Sequence, residues 1–412
     1  MKSIAVNKRK IFNDPIYGFI TIPSEIIFDL IEHPYFQRLR RIKQLGLTGL
    51  VYPGALHTRF HHAMGAMYLM TQAIDVLRAK GVEITTAEAE GVTLAILLHD
   101  IGHGPFSHAL ESSIVSDVSH EQISEIFMDK LNVEMKGKLS LAIQIFKNDY
   151  SKKFLHQLVS SQLDMDRLDY LKRDSFFTGV SEGIISSDRI LAMLAVADDS
   201  LAIEAKGIYS IEKFIIARRL MYWQVYLHKT VLGAEHLLVN ILARAKELAA
   251  QGEELFATPA FQLFLKNRFT KNDFTNNAEV LKAFAALDDN DIFTSVKVWQ
   301  SHNDFVLSTL CCNMVNRNLF HIELQNQPFE HQKIEDLKQK VKAKYNLKEE
   351  EIKYFVYSDS IKNSAYNPDS ERINILYKDG KVVDIAHASD QLNISVLSQT
   401  VEKFYLCYPK EI

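Results

Sequence analysis

The sequence predicts a mainly α-helical protein that ends in a small C-terminal α+β appendage. Only 9 prolines and 16 glycines occur in 412 residues, so few positions interrupt long helices. Apolar residues recur at three- and four-residue steps through most of residues 25–320, which is the helical period. After residue 320 the pattern changes to short runs of strand character separated by turn residues.

The N-terminal segment is predicted to begin with a short strand pair. Its strands lie around residues 11–12 and 19–22 and are joined by the turn residues Asn13, Asp14 and Pro15 and a glycine. The helical part follows. Its clearest helical segments are residues 34–44, 63–79, 86–98, 120–131, 139–146, 154–174, 211–248 and 278–287.

The C-terminal appendage is predicted from strand-like runs and one charged helix over residues 332–345. A Lys-Asp-Gly-Lys sequence at residues 378–381 indicates a hairpin. The strand-like runs are residues 320–324, 352–357, 373–377, 382–386 and 403–408. We divide the chain into residues 1–50, 51–175, 176–324 and 325–412.

Composition excludes several classes of protein. Hydrophobic residues make up 47% and charged residues 24%, which is ordinary globular composition and not that of a disordered, collagen-like or disulfide-stapled chain. The formal net charge of −4 argues against binding nucleic acid through a broad basic face, although cations at residues 8–10 and 38–43 keep single-strand binding as an alternative. Three cysteines and no apolar run of membrane length predict a cytoplasmic protein without a membrane partner.

The most informative string is HDIGHGPFSH at residues 99–108, directly after an apolar stretch. A histidine and an aspartate side by side at the end of a buried helix are unfavourable unless something satisfies them. A divalent cation does so, because imidazole nitrogen and carboxylate oxygen are both good metal donors. The alternative is a surface His-Asp pair at a helix end. Three histidines and two glycines within ten residues favour the metal site.

Two further polar strings offer ligands. HTRFHH occupies residues 57–62, and DMDRLDYLKRD occupies residues 164–174. On a helix, three- and four-residue steps align on one face. One such face would contain Asp166, Tyr170, Arg173 and Asp174. From periodicity alone, this face could be either a solvated surface or part of a functional site.

Taken in order, these strings resemble the HD-domain metal-dependent phosphohydrolase superfamily. The match extends to the branch that contains the deoxynucleoside triphosphate (dNTP) triphosphohydrolases, among them the sterile-alpha-motif HD-domain enzymes and bacterial dGTPase-like proteins. The resemblance covers approximately residues 10–320. Besides the strings above, it is carried by NDPIYG at 13–18, FQRLRRIKQLG at 36–46, PGA at 53–55 and HE at 120–121.

The resemblance implies an HD-domain helical core in residues 51–175 with an extended helical body after it. It implies a divalent metal cofactor, and a mixed donor set of this kind accepts Fe, Mn, Ni, Zn or Mg. One helical step turns about 100°, so neighbouring His61 and His62 do not easily bind the same ion, and the resemblance selects His62. The implied ligands are His62, His99, Asp100 and Asp166.

The resemblance also implies the roles of residues around the metal. His120 matches the proposed general acid and is paired with Glu121. The other catalytic positions it implies are Arg59, His103 and His108. Among the substrate-binding positions, the arginines would bind phosphate. Gln44 and Asp174 would bind the 3′-hydroxyl of a deoxyribose, and Tyr170 would leave little space at its 2′ position. The full substrate-binding set is Gln44, Leu45, Arg59, Arg167, Tyr170, Asp174, Arg218 and Tyr226.

The activity implied is hydrolysis of a dNTP to a deoxynucleoside and inorganic triphosphate. Two alternatives stay open from the sequence. One is an HD phosphohydrolase that acts on nucleoside monophosphates or signalling nucleotides, and the other is a nucleotide-sensing or nucleic-acid-binding module with weak catalysis.

A second, activating nucleotide and a homo-oligomer, dimer or tetramer, are expected by the same resemblance. The loop at residues 201–209 holds one cation, Lys206, where activated members have an arginine and a lysine. The regulatory positions implied are Lys10, Ile11, Asn13, Glu32, Gln37, Arg40, Lys229 and Arg317. The alternative is that residues 36–45 form an amphipathic packing helix with an arginine-rich outer face.

Overall fold

Helices make up most of the protein, and a small α+β part follows them. The computed structural model of the chain describes residues 10–106, 115, 118–368, 371–389 and 399–412. The predicted fold class, mainly α with a small C-terminal α+β part, is confirmed by these residues. None of the helices that are described has the length and apolar composition needed to cross a membrane.

The described α-helices follow one another along the chain. They are α1 (Glu25–Glu32), α2 (Pro34–Gln37), α3 (Arg59–Ala79), α4 (Thr86–Leu98), α5 (His120–Glu134), α6 (Ser140–Phe146), α7 (Lys153–Val159), α8 (Met165–Thr178), α9 (Ser187–Ala192), α10 (Ile208–Met221), α11 (Lys229–Ala250), α12 (Pro259–Lys266), α13 (Lys271–Asn276), α14 (Ala278–Ala286), α15 (Asp289–Trp299), α16 (Phe305–Val315), α17 (His331–Tyr345) and α18 (Ile385–Ala388). Shorter 3-10 helices occupy Arg38–Arg41, Gly46–Leu50, Ser181–Gly183, Ala205–Gly207 and Glu349–Tyr354.

Among the described residues, three small sheets accompany the helices. Their strands are β1 (Ile11–Asp14), β2 (Gly18–Thr21), β3 (Leu194–Ala197), β4 (Ser200–Glu204), β5 (His321–Gln325), β6 (Tyr357–Asn363), β7 (Asn374–Leu376), β8 (Val382–Asp384) and β9 (Val401–Tyr408). The antiparallel pair of β1 and β2 confirms the predicted N-terminal strand pair. Strand β9 lies between β5 and β6, and the second sheet has the order β3-β4-β7-β8. Strand β7 runs parallel to β4, so residues beyond 325 complete a sheet that begins in the helical body.

The helix predicted over residues 34–44 is wrong in its second half. Helix α2 ends at Gln37, one 3-10 turn follows, and Ile42 is extended. The backbone N–H of Lys43 donates to Asp289, and that of Gln44 donates to the carbonyl of His57. These distant acceptors replace the carbonyls that a continuing helix would have supplied.

The helix predicted over residues 154–174 is two helices. Helix α7 ends at Val159, and Asp164 then caps α8 by accepting the backbone N–H of Arg167 at 2.7 Å. The other carboxylate oxygen of Asp164 accepts the N–H of Ser161 at 2.7 Å. An aspartate that satisfies backbone donors in this way favours a helix start over a helix interior.

The helix predicted over residues 211–248 is interrupted by a π-helix at Tyr222–Tyr226. The hydroxyl of Tyr52 donates to the carbonyl of Gln224 at 2.6 Å and helps to hold this wide turn. Residues 352–354 form the end of a 3-10 helix and not a strand, and residues 385–386 begin α18. Strands β3 and β4 were not predicted, because their apolar runs are too short to separate from helix by periodicity.

Helix α3 packs against both α4 and α8, and the apolar segment before the HD string is buried. Helix α4 begins with a capping box in which Thr85 and Glu88 satisfy each other's backbone N–H. The carboxylate of Glu88 also accepts bonds from Tyr150 at 2.8 Å and Lys152 at 2.9 Å. The start of this helix is therefore fixed to the segment that precedes α7.

Replacing Glu88 with alanine is expected to lower the free energy of unfolding by about 1–3 kcal/mol, because a cap and two charged hydrogen bonds are lost. Burial raises the pKa of Glu88, but bonds from Thr85, Lys152 and Tyr150 lower it further, to about 2. The contribution is thus complete above the unfolded-state pKa of 4.5 and is lost as pH falls toward 2. Urea unfolding at pH 7 and at pH 3 measures it.

The control is Glu90→Ala on the same helix, where no described residue hydrogen-bonds the carboxylate. An equal loss of stability in the two variants, or a Glu88 effect that does not shrink in acid, would contradict this account.

Candidate active site

Three helices bring a set of metal donors together. Helix α3 supplies His62, the end of α4 leads into His99, and the first turn of α8 supplies Asp166. One donor atom from each lies within 4.8 Å of the others. The Oδ1 atom of Asp166 is 3.1 Å from Nε2 of His62 and 3.6 Å from Nε2 of His99. Two imidazoles and a carboxylate at these separations are a donor set that a divalent cation accepts.

Both histidines direct their Nε2 atoms at this point. The Nε2 atoms are buried and, within the described chain, lack a hydrogen-bond partner. Nδ1 of His99 lies 2.6 Å from the carbonyl of Ile96, and a carbonyl only accepts, so the proton is on Nδ1. Nδ1 of His62 lies 2.8 Å from the Asp169 carboxylate, which fixes the same tautomer. Unpaired buried nitrogens of this kind fit a bound metal.

Asp100 lies at the edge of this donor group. One oxygen is 3.3 Å from Nε2 of His99 and 3.2 Å from Nε2 of His103. The other oxygen accepts a bond from the guanidinium of Arg59 at 2.5 Å and is 3.8 Å from Nε2 of His62. Burial raises its pKa, but His99, His103 and Arg59 lower it more, well below the usual range. The carboxylate stays ionised. Asp100 is outside the set of three residues whose donor atoms lie within 4.8 Å of one another, so its role as a fourth ligand stays a prediction.

A buried chain of ion pairs supports His62 from behind. The Asp169 carboxylate that bonds to His62 also accepts bonds from Arg173 at 2.9 and 3.0 Å. Arg173 donates in turn to Asp14 in strand β1 at 2.8 Å. Gly65 lies against these ion pairs. A Cβ at this position would lie 2.0 Å from Asp169 Oδ1 and 2.2 Å from Arg173 Nη2, so a side chain here would displace them.

The loop after the HD dyad is held by buried donors. The fully buried guanidinium of Arg38 donates to the carbonyls of Ile101 and His103, each at 2.8 Å. The hydroxyl of Ser124 in α5 donates to the carbonyl of His99 and accepts the N–H of Gly102. A Cβ on Gly102 would lie 2.2 Å from the carbonyl oxygen of His120, so a glycine is required there.

Electrostatics favour a cation at the donor group. Burial lowers the pKa of His62, but Asp166 and Asp169 raise it more, to about 10. Burial raises the pKa of Asp166, but His62 and His99 lower it well below its usual range. The carboxylates therefore create a negative field strong enough to hold a proton on a buried imidazole. The same field attracts a divalent ion.

A cavity of about 490 Å³ opens in front of these donors. It contains most of the substrate positions that the sequence analysis proposed. Its lining residues are Gln44, Leu45, Gly46, Thr48, Arg59, Asp100, His103, Phe106, His120, Asp166, Arg167, Tyr170, Asp174, Tyr222, Tyr226, Leu227, Leu232 and Glu235. In this cavity the imidazoles of His103 and His120 stack with their centroids 3.9 Å apart.

Asp174 is held at the cavity wall by two partners. Its Oδ1 lies 2.7 Å from Nε2 of buried His57, and its Oδ2 accepts the hydroxyl of Tyr226 at 2.8 Å. The amide oxygen of Gln44 is buried and without a hydrogen-bond partner among the residues described. The ring of Tyr170 packs edge-on against Tyr226 with centroids 6.0 Å apart. These side chains form a polar wall beside the metal donors.

Several predicted residues are not in the cavity wall. Arg218 donates to Gln162 at 2.9 Å, Glu121 is exposed at the start of α5, and His108 lies outside the described residues. Arg173, expected on the same face as Asp166, instead lies in the buried ion chain. That face is therefore divided between the cavity and the core.

The regulatory positions lie apart from this cavity. Gln37 donates to the carbonyl of Ile31 at 2.7 Å, and Arg317 donates to that of Leu50 at 2.9 Å. Exposed positions are Lys10, Ile11, Asn13, Glu32, Arg40 and Lys229. Their role in binding a nucleotide stays a prediction.

The sequence analysis did not identify Asp169 as a support for a ligand, nor Thr48, Tyr222 and Glu235 as cavity residues. Asp169 follows Asp166 by three residues, so helical spacing was a signal for it. Glu235 gave no local signal, because it lies inside the long helix α11 and belongs to none of the motif strings.

Replacing Asp169 with asparagine is expected to weaken metal affinity about 10- to 100-fold, because His62 loses the carboxylate that orients it. Titration calorimetry with Mn²⁺ measures the change, and exposed Asp188→Asn is the matched control. A melting curve identifies a variant that has lost its fold. In that case Asp14→Asn, one bond further from the imidazole, is expected to show a smaller loss. Unchanged affinity in folded variants would contradict the role of the ion chain.

Comparisons with known proteins agree with this geometry. Residues 185–258 match the family model described as HD associated region. The solved structure of a phosphohydrolase from Bacteroides thetaiotaomicron is 58% identical, with a TM-score of 0.94 over 97% of this chain and 100% of that chain. The uncharacterized protein YwfO of Bacillus subtilis is 32% identical over 99% of this chain and 94% of that protein.

A further relative carries an activity in its name. The deoxynucleoside triphosphate triphosphohydrolase SAMHD1 homolog of Dictyostelium discoideum is 31% identical over 60% of this chain. The chain spans about half, 51%, of that relative's length. The family model, these relatives and the donor geometry lead to one conclusion. The chain belongs to the HD-domain phosphohydrolases, in the branch that includes the dNTP triphosphohydrolases.

Proposed function

We propose that the protein hydrolyses dNTPs to deoxynucleosides and inorganic triphosphate. The observation that carries the proposal is one cavity in which the metal donors adjoin the polar wall of Gln44, Tyr170 and Asp174. If the phosphate chain of a dNTP lies at the metal donors and its sugar lies at the polar wall, the α-phosphorus is between them. The SAMHD1-named relatives support the same substrate class.

Two arginines line the proposed phosphate end of the cavity. The guanidinium of Arg167 is held by the carbonyl of Ser161 at 2.6 Å and stands 3.5 Å from the hydroxyl of Tyr170. Arg59 is held by Asp100. Both arginines are thus oriented before substrate arrives, which is the arrangement that lowers the cost of charge development. A divalent cation held by His62, His99, Asp100 and Asp166 would supply Lewis-acid stabilisation of the phosphate oxygens.

His120 is the proposed general acid. Hydrolysis forms a bond from water oxygen to the α-phosphorus and breaks the bond from that phosphorus to O5′ of the deoxynucleoside. O5′ then needs a proton, which the cavity-lining imidazole of His120 can donate, while the proton that water loses passes to solvent. Stacking on His103 and the position at the start of α5 fix the ring.

The sugar wall supports a preference for deoxyribose. The unpartnered oxygen of Gln44 and the carboxylate of Asp174 can accept a bond from a 3′-hydroxyl. Tyr170 and Tyr226 bring two rings to the same wall, so an added 2′-hydroxyl would meet a phenol ring.

The regulatory residues are also proposed to bind an activating nucleotide between subunits of a homo-oligomer. Support comes from their position on the surface, where Arg40 lies over the ring of Phe60 at 3.6 Å and donates to Gln37. Activation predicts turnover in mixtures of nucleotides that exceeds the sum of the single reactions.

Each dNTP and each ribonucleotide, singly and mixed, is to be incubated with the protein and Mg²⁺ or Mn²⁺, and the phosphate product identified by ion-exchange chromatography. We expect inorganic triphosphate and deoxynucleoside. Asp166→Ala is expected to lower kcat at least about 100-fold, because it removes the carboxylate that lies next to both His62 and His99 in the donor group. Exposed Asp188→Ala should retain activity. Turnover of monophosphates or signalling nucleotides alone would favour the alternative phosphohydrolase instead.

Tyr170→Ala is expected to relax sugar discrimination. Removing the ring opens space for a 2′-hydroxyl, so the ratio of kcat/KM for a ribonucleotide to that for its deoxy form should rise about tenfold. The control is Tyr209→Ala, an exposed tyrosine outside the cavity. A ratio unchanged by Tyr170→Ala would remove this residue from sugar selection.

A further inference from the structure

One carboxylate of the C-terminal part lies against the helical body, at the segment between α7 and α8. Glu371 precedes strand β7, which runs parallel to β4. It lines a narrow crevice together with Gln157 of α7 and with Ser161. Ser161 belongs to residues 160–164, which join α7 to α8 and which we call the connecting loop. The C-terminal part therefore reaches the segment that leads into α8.

The side-chain amide of Gln157 holds this carboxylate. Its nitrogen Nε2 lies 3.2 Å from Oε1 of Glu371, and its oxygen accepts the backbone N–H of Leu201 in β4 at 2.7 Å. A backbone N–H only donates and an ionised carboxylate only accepts, so both contacts require the same orientation of the amide. The side chain of Asn374 in β7 also donates to the carbonyl of Leu201, at 3.4 Å. The carboxylate is thus tied to α7 and to the sheet that β7 completes.

The connecting loop also orients an arginine at the proposed phosphate end of the cavity. The carbonyl of Ser161 accepts a bond from Nε of Arg167 at 2.6 Å, and the N–H of Ser161 donates to Asp164, the cap of α8, at 2.7 Å. Arg167 itself lines the cavity. A displacement of the connecting loop would therefore move the guanidinium that faces a phosphate chain.

Electrostatic interactions link Glu371 to the same loop and the same arginine. Burial raises the pKa of Glu371, while Gln157, the guanidinium of Arg167 and the backbone N–H of Gln162 lower it in part. Each of these three groups favours the charged form of the carboxylate. A negative charge at Glu371 thus attracts both an N–H of the connecting loop and the arginine that the loop holds.

These contacts are compatible with two roles for Glu371. In the first, the carboxylate only fastens β7 to α7, and its loss lowers stability alone. In the second, it also fixes the connecting loop, and its loss misplaces Arg167. The interactions with Gln162 and Arg167 favour the second role, because neither of these residues belongs to α7, β4 or β7.

We infer that Glu371 is a positioning residue, which fixes the connecting loop from the C-terminal part so that Ser161 holds Arg167 in its orientation toward the phosphate chain. The inference rests on the proposed function, because it takes Arg167 to bind the phosphates of a dNTP. The C-terminal part then shapes the phosphate end of the cavity, although none of its described residues lines that cavity.

A double-mutant cycle tests the inference. The value of kcat/KM for a hydrolysed dNTP is measured in the natural protein, in Glu371→Ala, in Arg167→Ala and in the double variant. We expect Glu371→Ala to lower kcat/KM about tenfold, because a small displacement of Arg167 weakens its contact with phosphate. In the Arg167→Ala background the same substitution should lower kcat/KM less than about twofold, since the group through which Glu371 acts is absent. A purely structural role predicts the same loss in both backgrounds.

Glu350→Ala is the matched control, because that glutamate is exposed elsewhere in the C-terminal part. Its kcat/KM should equal that of the natural protein. A melting curve identifies a variant that has lost its fold, and Glu371→Gln then replaces Glu371→Ala in the cycle. The amide keeps the size and one acceptor oxygen, so a smaller loss of about threefold is expected, again only when Arg167 is present. Equal losses with and without Arg167, or natural kcat/KM in folded Glu371 variants, would overturn the inference and leave the proposed function intact.

A binding measurement separates this failure from failure of the proposed function. If no dNTP is hydrolysed, the proposed function fails, and calorimetry with inorganic triphosphate and Mg²⁺ then tests Glu371 alone. Triphosphate binding that Glu371→Ala weakens about tenfold, with Mn²⁺ affinity unchanged, supports the inference. The inference is overturned if the natural protein does not bind triphosphate, if Glu371→Ala binds it equally well, or if Mn²⁺ affinity falls by the same factor.

Discussion

The buried chain from His62 through Asp169 and Arg173 to Asp14 is the constraint on which the rest of the site depends. Charges inside a protein are tolerated only when each finds its partner, and here a strand and two helices must meet for that to happen. The N-terminal hairpin is thereby tied to the helix that carries Asp166. Because Asp169 also fixes the tautomer of His62, the requirement to pair buried charges and the requirement to present a metal donor are met by the same contacts.

The chemistry of the site is concentrated at helix ends for a related reason. His99 follows the last turn of α4, where backbone carbonyls lack helical partners, and its Nδ1–H takes one of them, that of Ile96. The chain then turns sharply, and Arg38 and Ser124 satisfy the carbonyls that the turn exposes. The metal donors are rigid because backbone groups that a helix leaves unsatisfied are satisfied by side chains from neighbouring elements.

Local patterns in the sequence predicted much of this arrangement, and non-local partners account for what they missed. Short strings and their resemblance to a family selected residues that the structure brings to one cavity, namely the His and Asp donor group, the two arginines and the polar wall of Gln44, Tyr170 and Asp174. The break after Gln37 was not, because Asp289 lies far along the chain from the N–H of Lys43 that it accepts. Helical spacing predicts that Arg173 lies on the cavity face, but its guanidinium is buried and donates a hydrogen bond to Asp14. Glu235 had no local signal at all, since only the packing of α11 reveals a cavity beside it.

The distribution of charge along the cavity determines how an anionic ligand can enter it. Arg59 and Arg167 line the cavity beside Asp166, so a phosphate chain would find guanidinium donors there, and a cation held by Asp166 and the histidines would add positive charge. At Leu227 and Leu232 the cavity wall is apolar, so a triphosphate would meet the cost of desolvation there. A neutral base would not. Under the proposed function, the two walls would favour one orientation of a nucleotide, with the bond next to the sugar, and not the terminal phosphate, near His103 and His120.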